Sequence, residues 1–259
     1  MNPLVIGRCF FAIAVAASGL QQLLTADFVR LVPRLPAWVP WPAFLACAVG
    51  AGLMVAGAAI GTGWRTRPAA LFLGALLLAS FFLQRVPEIM ANPSMGFVWT
   101  NPCKVLALWA GTVVLAGARS SAFPAGSPPT GQMERALFSP GPGFLGIFLL
   151  VGGVQHFVYA DFVQTLVPAW IPPSPRFWTG LTGAALIAGG AGLLVRPTVR
   201  WAALMSGLMI FLWVLLLHLP RAFAQPHNAG ETSAVFEALA LSGVAFLVAG
   251  GAAGPCDTK

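Results

Sequence analysis

Three side chains that can exchange protons lie close to the ends of apolar stretches in the second half of the chain. His156 and His218 each fall near the end of such a stretch, and Glu237 lies about one turn into the last one. Ionisable groups within a membrane are costly and therefore are candidates for function. If the four helices around them pack as a bundle, we expect the three side chains to converge near one membrane face.

Three kinds of site are compatible with these residues. In a proton-coupled or quinone-handling site, His156 or His218 would hydrogen-bond a quinone oxygen and Glu237 would exchange the proton. A metal site would use the two imidazoles and the carboxylate, but no pair of them has the i, i+4 spacing of helical ligands, so we predict no metal. In a structural role, these groups would satisfy Lys104 and Arg85 or extend toward the membrane surface.

Other polar residues are expected to link helices. Gln21 and Gln155 occupy matching places in two similar segments, and interhelical hydrogen bonding is the expected role of an amide within the bilayer. Arg221 is expected to pair with Asp161 or Glu231, or to attract an anionic group. Gln155 and Arg221 therefore join the candidate polar cluster.

The chain contains two versions of one hydrophobic unit. Residues 19–29 return as 153–163 with six identities in eleven positions. The first-unit equivalents of His156, His218 and Glu237 are an amide and two cations: Gln22, Arg85 and Lys104. The second unit thus has groups that titrate near neutral pH at positions where the first unit has none.

A similar loop follows the first span of each unit. Residues 35–40 (Leu-Pro-Ala-Trp-Val-Pro) match residues 167–172 (Val-Pro-Ala-Trp-Ile-Pro). Proline blocks helix continuation, and tryptophan favours the membrane interface. We expect Asp27 and Asp161 to cap a short helix before this motif, and the loop to fold back onto the bundle. The motif residues are Pro168, Trp170 and Pro172, with Trp38 in the first unit.

Composition predicts a membrane protein. Of the 259 residues, 58% are hydrophobic and 8% are charged, whereas soluble domains carry roughly 25% charged residues. Within a bilayer the backbone must satisfy its own hydrogen bonds, so each span is helical. We predict an all-α polytopic membrane protein with eight transmembrane helices in two parallel four-helix repeats. The predicted spans are about 4–24, 44–62, 69–87, 102–118, 143–160, 177–195, 201–219 and 234–252.

Charge placement predicts orientation and excludes one class of partner. The net charge is +7, but the basic residues are scattered between spans with no basic stripe, so nucleic acid is not an expected partner. The short loops 63–67 and 196–200 each carry two arginines, which places both termini in the cytoplasm. The predicted organisation is a first unit at 1–118, a Pro/Gly/Ser-rich cytoplasmic linker at 119–141, a second unit at 142–252 and a C-terminal tail at 253–259.

The second unit resembles the DoxX-like family of bacterial membrane proteins. The resemblance rests on residues 153–162 (Gly-Val-Gln-His-Phe-Val-Tyr-Ala-Asp-Phe), 166–173 (Leu-Val-Pro-Ala-Trp-Ile-Pro-Pro), a glycine-rich second helix and 200–204 (Arg-Trp-Ala-Ala-Leu). A single DoxX-like unit has four spans, so the chain resembles two fused units, with the second the closer match. Some members resemble subunits of thiosulfate:quinone or terminal quinol oxidase systems.

The resemblance implies a role in membrane redox chemistry. The sequence has no haem-type histidine pairs, flavin fingerprint or iron–sulfur cysteine run. We therefore predict no intrinsic cofactor, a bound quinone, and a soluble or membrane oxidoreductase partner that carries the redox centre. The expected function is an accessory or quinone-interacting subunit in the bacterial inner membrane. The alternative is a non-catalytic binder or carrier of a lipid or small hydrophobic molecule, in contact with membrane lipid.

Overall fold

The computed structural model describes residues 2–29, 31, 38–94, 96–117, 140–168 and 170–252. All regular secondary structure in these ranges is helical, which confirms the predicted all-α class. The predicted tail and all but the last two residues of the predicted linker lie outside the described residues. Those two linker residues are helical, because the fifth long helix begins at Pro140.

Within the part of the chain that the structure describes, eight helices are long and apolar enough to cross a membrane, as predicted. A short helix, Ala160–Gln164, follows the fifth of them. In chain order the eight are α1 (Pro3–Thr25), α2 (Pro42–Thr62), α3 (Thr66–Ala91), α4 (Gly96–Gly117), α5 (Pro140–Val158), α6 (Pro175–Leu194), α7 (Arg196–Ala224) and α8 (Ala229–Gly251).

Local sequence explains where several helices begin. Asn2 precedes α1, and its side-chain oxygen accepts a hydrogen bond from the amide of Leu4. Ser174 does the same for the amide of Phe177 at the start of α6, and Asn228 caps α8. These side chains satisfy amides that have no partner within the helix. Proline as the first residue of α1 and α6 fixes a helical φ without losing a hydrogen bond.

Helices α3 and α7 each contain one wide π-type turn at matching positions. The turns span Phe81–Arg85 and Val214–His218, and the amide after each bonds the carbonyl five residues back. Pro87 and Pro220 follow two residues after the turns. Proline lacks an amide hydrogen and crowds the preceding turn, which the wider turn accommodates. His218 therefore ends a π segment, a feature that often occurs at functional sites.

The helices do not form two separate four-helix bundles. Helix α1 packs against α2 and α8, and α5 packs against α6 and α4, so the first helix of each half lies on the last helix of the other. Helices α4 and α8 also contact each other. In the apolar stretch of α8, 72% of the residues are buried, against 50% in α4 and 28–39% in the other six helices. The centre of the fold is thus the pair α4–α8.

Glycines allow close approach where helices cross. A Cβ on Gly19 of α1 would lie 2.5 Å from the carbonyl oxygen of Gly50 in α2. A Cβ on Gly190 of α6 would lie 2.7 Å from the carbonyl oxygen of Gly146 in α5. Helices in lipid associate through close packing because lipid supplies no hydrophobic drive between them. These crossings therefore require a residue without a side chain.

We expect Gly190→Ala to destabilise the protein, since overpacking costs about 1–3 kcal/mol. Gly180→Ala in the same helix is the matched control, because no described atom outside its own helix backbone and chain neighbours lies within 4 Å of the added carbon. Thermal unfolding in mild detergent should show a clearly lower midpoint for the first variant and little change for the second. Equal midpoints would contradict the packing argument.

Candidate functional site

A cavity of about 720 Å³ lies at the end of the bundle where α5 and α7 end and α4 and α8 begin. We call it the histidine cavity. The short helix Ala160–Gln164 contributes to its wall. Most of the lining is apolar and comes from α5, α6, α7 and α8. The polar lining residues are Thr100, Asn101, Gln155, His156, Tyr159, His218 and Glu237.

The structure brings His156, His218 and Glu237 to one cavity, as the sequence led us to expect. His156 comes from the last turn of α5, and His218 comes from the π turn of α7. Glu237 is carried by α8, two turns from its start. The convergence depends on α4, α5, α7 and α8 meeting at this end of the bundle.

His156 is held in one orientation. Its Nδ1 lies 2.8 Å from the carbonyl oxygen of Gly152, one turn earlier in α5. A carbonyl can only accept, so Nδ1 donates, and in the neutral ring Nε2 carries the lone pair. The ring stacks on Trp213 of α7, with centroids 6.0 Å apart and planes inclined by 23°.

Glu237 forms an ion pair with a lysine. Its carboxylate lies 2.8 Å from Nζ of Lys104 in α4, and the two side chains are only 8% and 16% exposed. The pair matches the structural alternative for these residues, and the predicted role of Glu237 as the partner of His156 and His218 stays a prediction. Two buried charges are tolerated at the α4–α8 contact because each neutralises the other.

Corresponding positions of the two halves face each other along α4 and α8. Lys104 and Glu237 are 133 residues apart, as are Gly111 and Val244. A Cβ on Gly111 would lie 2.5 Å from a methyl carbon of Val244. A twofold relation brings equivalent positions together in this way. At one of these pairs of positions, Lys104 and Glu237, the two side chains carry opposite charges.

Two glutamines make matching interhelical bonds. Gln155 of α5 accepts a hydrogen bond from the Thr100 hydroxyl and donates one of 2.6 Å to the carbonyl of Gly96, both in α4. Gln21 of α1 accepts from the Ser233 hydroxyl at 3.1 Å and donates to the first carbonyl of α8 at 2.8 Å. The predicted interhelical role of both amides is confirmed.

The first-unit equivalents of the histidines are occupied by contacts within the protein. Gln22 is fully buried, donates to the carbonyl of Ala46 at 2.8 Å and accepts from the amide of Val29 at 3.5 Å. Arg85 forms an ion pair of 2.6 Å with Glu88. Both hydrogen-bonding ends of the Gln22 amide are used by the chain, whereas Nε2 of His156 has no hydrogen-bond partner within the described residues.

Arg221 pairs with one of its two predicted partners. Its guanidinium donates two hydrogen bonds, of 3.0 and 2.7 Å, to the carboxylate of Glu231. This two-point contact links the end of α7 to the first turn of α8. It is geometrically specific because the planar guanidinium matches the carboxylate. Arg221 thus connects two helices that line the cavity but is not itself among the lining residues.

The predicted aspartate caps are wrong. Asp161 is the second residue of the short helix and is exposed, and the position before that helix is Tyr159, whose side chain makes no capping bond. The carboxylate of Asp27 accepts from the amide of Phe28 at 2.8 Å, but residues 27–29 are not helical. Both carboxylates lie just after a long helix, where the backbone turns.

The tryptophans of the loop motifs are at the surface. Trp170 is 65% exposed and Trp38 is 79% exposed, as suits side chains at a lipid–water boundary. Pro168 is half-buried, and the Pro172 carbonyl accepts a hydrogen bond of 2.9 Å from the indole of Trp178. The part of the first motif at residues 35–37 lies outside the described residues.

Several residues of the cavity wall were not predicted from the sequence. Trp213, Tyr159 and Asn101 are three of them. Two signals could have identified them: Trp213 lies inside a span, five residues before His218, and Tyr159 is the only tyrosine of the chain. Asn101 is a polar residue in the first turns of α4 and matches no earlier pattern.

The three residues of the metal alternative line one cavity. Within the described ranges, no group of three His, Cys, Asp or Glu side chains lies close enough to hold a metal ion. His156, His218 and Glu237 are all described, so these three share a cavity without forming a ligand set.

The eight apolar helices define a polytopic integral membrane protein. The DoxX family model matches residues 4–85, and the model of a domain of unknown function (DUF8561) matches residues 145–250. The first third of the chain therefore resembles the DoxX family, in agreement with the family resemblance predicted from the sequence. The DoxX match falls on the first unit, although we expected the second to be the closer. Searches of curated proteins and of solved structures each find no match to the chain.

We expect Glu237→Gln to destabilise the protein by about 3–5 kcal/mol, because it leaves Lys104 buried without its counter-charge. Glu88→Gln is the matched control. It breaks an ion pair whose carboxylate side chain is 48% exposed, which costs about 0–1 kcal/mol. Thermal unfolding in mild detergent compares the two.

A charge exchange separates the ion pair from other effects at these positions. The double variant Lys104→Glu/Glu237→Lys should be more stable than either single variant, because it restores opposite charges across the α4–α8 contact. If the destabilisation of the double variant equals the sum of the destabilisations of the two single variants, the pairing itself contributes nothing.

Proposed function

We propose that this protein consists of two fused DoxX-like units in a bacterial inner membrane and serves as an accessory, quinone-binding subunit of a membrane redox pathway. The proposal of two units is supported by the repeated order of helix packing and by the matching glutamine bonds. A cytoplasmic location of both termini is supported by the two arginine-bearing loops, 63–67 and 196–200.

The observation that carries the proposal is an apolar cavity with a few convergent polar groups. Its volume of about 720 Å³ falls within the roughly 300–1,000 Å³ of small-molecule sites. The apolar walls suit the ring and the first part of the tail of a quinone. His156, Tyr159 and Asn101 supply hydrogen-bonding groups to the lining.

Proton exchange is the chemistry that these residues contribute. Imidazole is the side chain whose charge changes between about pH 5 and 8, and two imidazoles, of His156 and His218, line the same cavity. A quinone that is reduced takes up two protons and two electrons. The histidines exchange the two protons with the ligand, and an oxidoreductase partner that binds this protein exchanges the two electrons.

A lipid or another small hydrophobic molecule is the second candidate. It is favoured by the short helix Ala160–Gln164, where Phe162 lines the cavity yet is 65% exposed. An aromatic side chain between a cavity and its surroundings suits a ligand that enters from the lipid. This candidate requires apolar contacts and the loop with Trp170, and it does not require the histidines.

Mass spectrometry of small molecules extracted from protein purified in mild detergent tests the proposal. We expect the wild type to retain quinone at close to one per chain, and His156→Ala/His218→Ala to lose at least nine-tenths of it. His227→Ala is the matched control, because His227 is exposed in the loop before α8. Phospholipid content serves as the internal standard.

The outcome also separates the two candidates. Quinone that is absent from the wild type, or retained equally by the double variant, would contradict the quinone site. A lipid that stays bound in the double variant and is lost with Trp170→Ala would favour the lipid-binding protein. Thermal unfolding of each variant checks that a loss of ligand is not a loss of fold.

A further inference from the structure

We infer that the histidine cavity binds the reduced, dihydroxy form of its quinone more tightly than the oxidised form, through Nε2 of His156 as hydrogen-bond acceptor. This inference rests on the proposed function and specifies which redox state of the ligand the site recognises. It follows from the placement of one proton.

The Gly152 carbonyl fixes that proton. Nδ1 of His156 lies 2.8 Å from the Gly152 oxygen, and an oxygen that can only accept requires a proton on Nδ1. The neutral ring has one N–H, so Nε2 offers a lone pair. Among the described residues no group donates to Nε2, and His156 lines the cavity.

The ring has little freedom to exchange its two nitrogens. Trp213 covers one of its faces, with centroids 6.0 Å apart. The backbone of α6 passes close to its base, since a Cβ on Gly183 would lie 2.8 Å from Cβ of His156. Turning the ring over would also remove Nδ1 from the Gly152 carbonyl. A hydrogen-bond partner that fixes the proton on one ring nitrogen determines whether the other nitrogen is a donor or an acceptor.

The two redox forms of the ligand differ in what they can offer to a lone pair. A hydroquinone hydroxyl donates a hydrogen bond, whereas a quinone carbonyl only accepts. The hydroquinone hydroxyl therefore donates a hydrogen bond directly to Nε2. A carbonyl oxygen of the oxidised ligand instead brings its own lone pair against the lone pair of Nε2. The nearest acid of the lining does not change this, because Glu237 is already paired with Lys104 at 2.8 Å.

The first unit shows a contrasting arrangement at the equivalent position. Gln22 offers both a donor and an acceptor, and it uses them on Ala46 and Val29. An amide at position 156 could turn its NH₂ group toward a quinone carbonyl. Histidine held by Gly152 has no such option, so the residue type and its backbone partner together set the preference.

Dissociation constants for two forms of one soluble probe test the inference. The probe is a decyl-substituted benzoquinone and its chemically reduced hydroquinone, titrated into the full-length wild type in detergent without oxygen. We expect the hydroquinone to bind about tenfold more tightly, as one additional hydrogen bond in an apolar site allows. A tenfold preference raises the midpoint potential of the bound two-electron couple by about 30 mV, which redox titration measures independently.

His156→Phe separates hydrogen bonding from packing, because it retains a flat ring beside Trp213 and removes the acceptor. We expect hydroquinone affinity to fall about tenfold with little change in quinone affinity, so that the preference disappears. His227→Phe in the exposed loop should leave both values unchanged. A proportional loss of both affinities in His156→Phe would show a packing role only and would overturn the inference.

The wild-type ratio decides the question even if the variant does not fold. Equal affinities, or tighter binding of the oxidised probe, would overturn the inference and leave the proposed quinone site intact. Failure of both probe forms to bind would overturn the inference and the proposed quinone site together. His156→Gln is the second variant, and it should shift the preference toward the oxidised form.

Discussion

The ion pair between Lys104 and Glu237 is the interaction on which the arrangement of this membrane protein depends. It joins α4 and α8, the two most buried helices, and the other helices pack around them in an order that is the same in both halves. A single buried charge at either position would face neighbouring helices and lipid with no counter-charge, which is costly. Complementary charges at two corresponding positions favour contact between the unlike halves.

The same contact between halves builds the cavity. Thr100 and Asn101 of α4 belong to the first half, yet they line a cavity whose histidines belong to the second half. Gln155 connects the two by bonding to the start of α4. The cavity wall is therefore shared between the halves. The ion pair with Lys104 also engages the Glu237 carboxylate, so that this carboxylate is not available to a ligand. The cavity lining also contains the His156 imidazole, the Tyr159 phenol and the Asn101 amide.

The helices could be predicted from the sequence more completely than the site. The length of the apolar stretches alone predicts the eight helices, because a bilayer permits only a backbone whose hydrogen bonds are satisfied within the chain. Gln155 was recognised as an interhelical link from its match with Gln21. Asp161 was misplaced, because a capping residue cannot be distinguished from a first-turn residue when the helix is only five residues long. Trp213 was missed, because a tryptophan inside a span gives no indication of which neighbour its ring faces.

What the sequence by itself determined is the class of protein, the family resemblance and the small set of polar residues placed in an apolar chain. What only the tertiary structure decided is which of those residues meet. Lys104 and Glu237 are 133 residues apart, and their pairing follows from α4 lying on α8. The proton on Nδ1 of His156 follows from a carbonyl at 2.8 Å. Hydrogen bonds and ion pairs act over a few ångströms, so they are fixed by helix packing, and helix packing in lipid depends on side-chain fit across the whole bundle rather than on local residue type.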